Sequence, residues 1–166
     1  TLRDHVLADV DRLNRAYQST LDSNKVTTFH ERATISGANA VTLASGKTVT
    51  AKVILIATGG WPVTPDIPGA EHGITSNEAF HLEELPKRIV VVGGGYIAVE
   101  FAGIFHNLGV DTTLLYRGEK ILRGFDEDVR DALMEEYNRR WLKVLCGRVF
   151  TRIDKTPAGL VGQLSD

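Results

Sequence analysis

The sequence has almost nothing with which to cross-link itself. Cys146 is the single cysteine in 166 residues, so the chain can form neither an internal disulfide nor a cysteine-rich metal site. A protein that does not depend on disulfides suits a reducing compartment. We therefore expect a cytoplasmic location and no metal centre.

The sequence also lacks a charge excess and long apolar runs. It carries 19 basic and 21 acidic side chains, a net charge of −2, and the basic residues are scattered. This balance gives no reason to expect a nucleic acid or an anionic membrane as partner. No apolar run approaches the roughly 20 residues that span a bilayer. With 43% apolar and 24% charged residues, the composition is that of an ordinary globular domain.

The two ends of the sequence lack the usual marks of a complete chain. It begins with TLRDHV, without a starting Met or the apolar core of a signal peptide, and it stops at GLVGQLSD, as if inside a hairpin. We therefore expect an internal piece of a longer protein, with a fold truncated at both ends.

The first part of the chain predicts a helix, a small sheet and a buried strand. Apolar residues recur at helical spacing over 2–22, which predicts an amphipathic helix. Residues 26–50 are Thr- and Val-rich stretches broken by Gly and Asn, typical of an antiparallel meander whose clearest turn is at 44–47. The unbroken apolar run in KVILIATGG, 52–60, predicts a strand buried on both faces.

A proline-rich connector without periodicity follows this run, and a capping box formed by Thr75 and Glu78 predicts a short helix at 77–82. From Arg88 the pattern predicts a separate α/β unit. Its predicted elements are a strand at 89–92, a helix at 96–108, a strand at 112–116, a helix capped by Asp126 that runs to about 139, and a β-hairpin around KTPAG formed from residues 142–166.

A glycine motif opens the helix of this unit. Gly93, Gly95 and Ala98 follow the pattern G-x-G-x-x-A between a strand and a helix, with a second strand next. Gly93 allows the tight turn, Gly95 lets a pyrophosphate approach the backbone, and Ala98 lets helix and strand pack closely. The phosphates would then lie at the positive end of the helix. The alternative is a Gly-rich turn that only connects the two elements.

The end of the second strand indicates which dinucleotide binds. In NAD sites an acidic residue lies roughly 20 residues beyond the glycines and bonds the ribose 2′-hydroxyl, but Tyr116 stands here, followed by Arg117 and then Arg123. Guanidinium groups bind the oxygens of a 2′-phosphate, which carries about two negative charges. The arrangement favours NADP, although two solvated surface arginines remain the alternative.

Longer stretches of the sequence are similar to a known family. ILIATGGWPVTPDIPGAEHGITSNEAFHLEELPKRIVVVGGGYIAVEFAGIF, followed by LLYRGEKILRGFDEDVR, resembles the flavoprotein pyridine nucleotide-disulfide oxidoreductases, and among them the glutathione reductases. The resemblance runs over nearly the whole chain and is densest over 52–130. It implies an enzyme in which NADPH reduces FAD, FAD reduces a redox disulfide, and the dithiol reduces oxidised glutathione.

The resemblance also implies roles for particular residues, and no catalytic residue proper is among them. Gly93, Gly95 and Ala98 match the NADPH pyrophosphate turn, and Arg117 and Arg123 match the pair that binds the 2′-phosphate. Further matches are Tyr96, a tyrosine that covers the flavin and swings aside for nicotinamide; Glu100, a glutamate that pairs with a lysine near the flavin; and Thr58 and Gly59, a backbone turn that touches FAD. Each of these residues could instead be an ordinary packing or surface residue.

Several features of the family are missing from the sequence. It has no FAD-binding glycine motif, no C-x-x-x-x-C redox pair, no lysine to face Glu100, and no C-terminal interface domain with its His-Glu pair. Gly118 stands where related enzymes often carry another basic residue, and Cys146 is expected to be a small core residue on the final hairpin. We therefore expect residues 1–166 alone to be inactive.

Taken together, these patterns predict an α/β fold truncated at both ends. It consists of an incomplete Rossmann-like NADPH-binding unit at 88–166, a connector at 71–87, and part of an FAD-binding domain of three-layer ββα type at 1–70. The first functional hypothesis is a piece of a homodimeric, NADPH-dependent glutathione-disulfide reductase. The alternatives are another NADPH-dependent flavoprotein disulfide reductase, or a dinucleotide-binding module without catalysis.

Overall fold

The protein is described by a computed structural model that covers every residue from Thr1 to Asp166. The chain divides into two compact units, residues 1–61 and residues 62–166. No helix in either unit combines the length and apolar composition needed to cross a membrane.

The first unit begins with the predicted amphipathic helix. Helix α1 spans Leu2–Ser23, and a capping box fixes its start, because the Thr1 side chain accepts from the Asp4 amide while the Asp4 carboxylate bonds back to the first residue. The first contact satisfies an amide group that a helix start leaves without a partner, and the second pairs the N-terminal ammonium group with the carboxylate. The apolar stripe of α1 has no fully buried residue.

A three-stranded antiparallel meander follows α1, as predicted. Its strands are β1 Ala33–Gly37, β2 Ala40–Leu43 and β3 Thr48–Thr50, hydrogen-bonded in the order β1-β2-β3. The turn between β2 and β3 contains Gly46 at φ +86°, a conformation that suits glycine.

The meander is smaller than predicted, since residues 26–29 form no strand. The Val26 amide instead donates to the Leu21 carbonyl at the end of α1, at 3.0 Å. Phe29 lies under the Lys47 ammonium group, which is 4.6 Å from the ring centroid. The chain therefore uses this stretch to leave the helix rather than to extend the sheet.

The predicted buried strand at 52–60 is wrong for this structure. These residues form no strand, and Val53 and Leu55 are 82% and 86% exposed. The last sheet-like contacts of the meander are those of Asn39, whose side-chain amide donates to the Ala51 and Lys52 carbonyls. A strand of this composition needs neighbouring strands on both sides, and the first unit offers none to this run.

The second unit opens with the connector and the short predicted helix. A 3-10 turn occupies Ala70–His72, and helix α2 spans Ser76–Ala79 with the predicted capping box between Thr75 and Glu78. The helix ends three residues before the predicted limit. Phe80, which follows it, packs on the ring of Phe101 with ring centroids 5.0 Å apart.

A parallel βαβαβ arrangement forms the centre of the second unit and confirms the predicted α/β class with a Rossmann-like unit. The elements are β4 Arg88–Val92, α3 Tyr96–Asn107, β5 Asp111–Tyr116, α4 Glu127–Arg139 and β6 Lys143–Cys146. The strands lie in the order β4-β5-β6. Asp126 occupies the N-cap position of α4 as predicted, but its side chain accepts no capping hydrogen bond.

The core of this unit lies between the sheet and its helices. Leu114, Leu115 and Ile121 are fully buried, and burial of such an aliphatic side chain contributes about 1.5–3 kcal/mol. The Tyr137 hydroxyl of α4 donates to the Val99 carbonyl of α3 at 2.8 Å. Burial raises the pKa of Tyr137, which keeps its hydroxyl protonated as a donor.

Residues 143–146 were predicted as part of the final hairpin, and this is wrong. They form the third parallel strand, with Thr113 opposite Lys143 and Tyr116 opposite Cys146. The hairpin itself is shorter and consists of β7 Phe150–Thr156 and β8 Gly159–Leu164. The sequence of β6 fits either pairing, and the helix α4 before it supplies the crossover that a parallel strand requires. Cys146 therefore lies on β6, where it is half-buried.

The connector is attached to the hairpin at one tight contact. The Ile153 amide of β7 donates to the Pro68 carbonyl at 2.9 Å. Gly69 follows at φ +84°, and a Cβ atom there would lie 1.7 Å from the Ile153 carbonyl oxygen. The backbone of β7 thus occupies the space that any side chain at position 69 would need.

We expect Gly69→Ala to lower the free energy of unfolding by about 3 kcal/mol or more, because left-handed strain adds to overpacking against backbone. Gly109→Ala is the matched control. Gly109 has almost the same φ, +87°, but an added Cβ meets nothing within 4 Å, so its cost should be about 1 kcal/mol. Denaturant unfolding of both variants measures the difference. Equal costs would contradict the close contact between the connector and β7.

Candidate nucleotide-binding site

The glycine turn after β4 is built as tightly as its sequence predicts. Gly93 has φ +141°, and a Cβ atom there would lie 3.1 Å from the Cβ of Ala98. The Gly93 amide donates to the Leu115 carbonyl of β5 at 2.9 Å. The turn is therefore fixed to the neighbouring strand, and both small residues are needed for the close approach of α3.

The next part of the turn is open. Gly95 is the N-cap residue of α3 at φ −84°, and no side chain caps the helix. A Cβ atom added at Gly95 would meet nothing within 4 Å. The first amide groups of a helix have no partner within it and carry partial positive charge. The start of this 12-residue helix can thus accept an anionic group close to its backbone.

The loop after β5 lies against this turn. Leu122, in the middle of the loop, donates its amide hydrogen to the Gly94 carbonyl at 2.6 Å. Leu122 has φ +55°, an uncommon conformation for a branched residue, and it is 6% exposed. The structure therefore brings the loop that carries Arg117 and Arg123 to the glycine turn.

The two arginines of this loop are available for a ligand. Arg117 and Arg123 are exposed, and neither makes a hydrogen bond or an ion pair with another residue. Lys120, between them, is different, because its ammonium group bonds Asp131 at 2.6 Å and Glu127 at 3.1 Å. The hydrogen bonds that Lys120 donates to Asp131 and Glu127 raise its pKa. Its charge is already compensated, while those of the two arginines are not.

Tyr116 explains the glycine at position 118. A Cβ atom at Gly118 would lie 2.6 Å from Cε1 of the Tyr116 ring, and one at Gly94 would lie 2.5 Å from its Cγ and Cδ2. The ring thus contacts both glycines and ties the end of β5 to the turn after β4. A basic side chain at 118 cannot be added while the ring stays where it is.

The remaining predicted site residues fall into two groups. Tyr96 and Glu100 are exposed near the start of α3, four residues apart and so on one face of the helix. Thr58 and Gly59 belong to the other compact unit, in a stretch without regular secondary structure, with Gly59 at φ +73°. The roles suggested for these four residues stay predictions.

Two contributors to the site were missed in the sequence. Leu122 acts through its backbone amide, and a leucine gives no signal for a positive φ. Tyr116 was noted only because it is not acidic, whereas its ring packs on Gly94 and Gly118. Gly94 in the turn and Gly118 in the arginine loop were the available signal, since an aromatic ring packed against backbone needs neighbours without side chains.

An open glycine turn at the start of a helix, with two unpaired guanidiniums nearby on a parallel α/β unit, is the arrangement typical of dinucleotide-binding domains. The chain matches the family described as "Pyridine nucleotide-disulphide oxidoreductase" over residues 2–165. This match covers nearly the whole chain, and the chain belongs to that family.

Individual relatives agree with this assignment. The chain is 42% identical to a glutathione reductase of Nostoc sp. over 166 residues, covering 98% of this chain and 36% of that protein. It is 40% identical to a trypanothione reductase of Leishmania donovani over 162 residues, covering 90% of this chain and 33% of that protein. The chain thus spans about a third of the length of the curated relatives it matches.

Solved structures of similar fold belong to related oxidoreductases. The HOCl-induced flavoprotein disulfide reductase RclA from Escherichia coli superposes with a TM-score of 0.68 at 25% identity, over 80% of this chain and 31% of that one. An engineered water-forming NADPH oxidase bound to NADPH gives a TM-score of 0.61 at 26% identity, over 75% of this chain and 30% of that one.

The contact between Tyr116 and the glycine turn can be measured by a double-mutant cycle. We expect Gly94→Ala to lower the free energy of unfolding by about 1–3 kcal/mol, because the new methyl group overpacks against the root of the ring. In a Tyr116→Ala background the same change should cost much less. Unfolding in denaturant gives all four values. An unchanged cost in the Tyr116→Ala background would show that the ring does not lie on Gly94.

Proposed function

We propose that this chain is the nucleotide-binding part of an NADPH-dependent flavoprotein disulfide reductase whose substrate is oxidised glutathione. The observation that carries the proposal is the pair of uncompensated guanidiniums, Arg117 and Arg123, on a loop bonded to the glycine turn at Gly94. A site for NAD would carry a carboxylate near position 116, and Tyr116 occupies that position.

The residues of the turn fit an NADP molecule. Gly95 leaves the space that a pyrophosphate needs, and the start of α3 offers it unpaired amide groups. Arg117 and Arg123 would bind the 2′-phosphate, each through charge-assisted hydrogen bonds. Ala98 keeps the helix close to β4. In this proposal these residues bind and orient the nucleotide, and none of them takes part in a chemical step.

FAD is the second cofactor of the proposed enzyme. When bound, the nicotinamide supplies a hydride and the flavin carries the two electrons onward to a redox disulfide. The resemblance implies that Thr58 and Gly59 would touch FAD through their backbone, that Tyr96 would cover the flavin and swing aside for nicotinamide, and that Glu100 would pair with a lysine near the flavin. A single cysteine, Cys146, cannot store two electrons as a dithiol, so residues 1–166 alone should not reduce glutathione disulfide.

The preference for glutathione is supported by the glutathione reductases among the relatives. One close similarity supports a second candidate, since the 40% identity to a trypanothione reductase nearly equals the 42% to a glutathione reductase. The protein containing this chain should oxidise NADPH faster with oxidised glutathione than with trypanothione disulfide. The reverse order would move the assignment to the second candidate. A cytoplasmic homodimer is the corresponding proposal for the whole enzyme.

Reversing both charges should remove the preference for NADPH. We expect Arg117→Glu with Arg123→Glu to weaken NADPH binding more than tenfold and to leave NADH nearly unchanged, because each charge-assisted contact contributes about 1.5–3 kcal/mol. Titration of the protein with both nucleotides provides the measurement. Arg12→Glu with Arg15→Glu on α1 makes the same change of net charge and serves as control. Equal weakening of both nucleotides by the first pair would refute the 2′-phosphate assignment.

Filling the open turn should block both nucleotides. Gly95→Val introduces a branched side chain at φ −84°, a conformation that valine tolerates, so the protein should still fold. The side chain occupies space that the pyrophosphate needs, and NADPH and NADH should both fail to bind. Flavin content and thermal unfolding check that the variant is intact. Normal NADPH binding by an intact variant would remove Gly95 from the phosphate turn.

A further inference from the structure

The arginine loop is held from behind by a third arginine, on helix α4. Arg130 donates from Nε to the Ile121 carbonyl at 2.9 Å and from Nη2 to the Lys120 carbonyl at 2.9 Å. It also forms an ion pair with Glu127, and its side chain is 16% exposed. One guanidinium group thus bonds two successive carbonyls of the loop.

These two carbonyls lie in the middle of the loop, between the arginines that face solvent. Ile121 is fully buried beside them. Leu122, the next residue, bonds the Gly94 carbonyl through its amide. The loop is therefore fixed from two sides, by its own backbone to the glycine turn and by the side chain of Arg130 to α4. Arg123 follows directly on this doubly fixed segment.

We propose that Arg130 is a positioning residue for recognition of the 2′-phosphate, holding residues 120–122 so that Arg117 and Arg123 converge on one phosphate group. This inference rests on the proposed function of those two arginines. Arg130 itself does not touch the nucleotide. Its planar fork suits the task, because it bonds two carbonyls at once in a fixed geometry.

The physical reason is the cost of ordering. Two long side chains six residues apart in one loop bind one phosphate together most tightly if the loop has a single conformation before binding. A loop that must be ordered by the ligand loses affinity for it. A nucleotide without a 2′-phosphate does not use these side chains, so it should not depend on Arg130. The dependence is thus specific to one of the two nucleotides.

The test measures binding of NADP⁺ and NAD⁺, by calorimetry, to the protein containing this chain. Arg130→Met should weaken NADP⁺ about tenfold, a size typical of losing a group that orients a binding residue, and should leave NAD⁺ within about twofold. Arg139→Met is the matched control on the same helix, since Arg139 is 69% exposed and pairs only with Glu136. It should change neither affinity.

A second variant keeps the test decisive if Arg130→Met does not fold. Arg130→Lys retains the charge, but an ammonium group lacks the rigid fork that holds both carbonyls, so a smaller selective loss for NADP⁺ is expected. Equal losses for both nucleotides, or no loss, in a folded variant would overturn the positioning role. Arg117→Glu with Arg123→Glu is measured in parallel. If the double variant loses NADP⁺ binding while the Arg130 variants bind normally, only the positioning role of Arg130 is refuted. If the double variant binds NADP⁺ normally, the proposed function is refuted as well.

Discussion

The hydrogen bond from the Leu122 amide to the Gly94 carbonyl is the contact on which the candidate site depends. It joins the turn after β4 to the loop after β5 over 2.6 Å. Parallel pairing of Val92 with Leu115 has already brought the carboxyl ends of both strands to one edge. The hydrogen bond then joins the glycine turn and the arginine loop, so that both form one surface. The positive φ of Leu122 persists because the surrounding core over-determines it.

Backbone and side chains contribute to this surface in different ways. The glycine turn and the start of α3 offer amide groups, whose positions are fixed by the secondary structure itself. The arginines offer charge, but their positions depend on a loop and therefore on what the loop is bonded to. In the proposed site, recognition of a pyrophosphate would follow from the fold, while discrimination between two dinucleotides would require additional contacts such as those of Leu122 and Arg130.

Much of the fold could be predicted from local patterns, and the errors have physical causes. The periodicity of residues 2–22, the capping box at Thr75 and the G-x-G-x-x-A motif are local signals, and the structure contains each. The strand predicted at 52–60 is wrong because an apolar run shows only that a segment is apolar. It does not show that neighbouring strands are present. The pairing predicted for residues 143–146 is wrong because these four residues suit either a hairpin strand or a parallel edge strand. Only the preceding crossover helix decides between the two.

The candidate site was predictable to a similar depth. Residue type alone identified Gly93, Gly95, Arg117 and Arg123 as candidates, because glycine and arginine have few physical roles in such a motif. The hydrogen bonds that assemble them were not predictable. They depend on the amide of Leu122 and on Arg130, whose residue types occur on many helices and loops without such a function.

The packing of Tyr116 constrains how this site can change by mutation. Its ring lies on Gly94 and Gly118, so a side chain gained at either glycine while Tyr116 is present is destabilising. Replacement of Tyr116 by a smaller residue opens position 118, and only then can another cation without an acidic partner join Arg117 and Arg123 on the loop. The order of substitutions therefore matters. A basic residue at 118 is destabilising while Tyr116 is present and is tolerated once Tyr116 has been replaced by a smaller residue. Among relatives of this chain, residues 116 and 118 should accordingly vary together rather than independently.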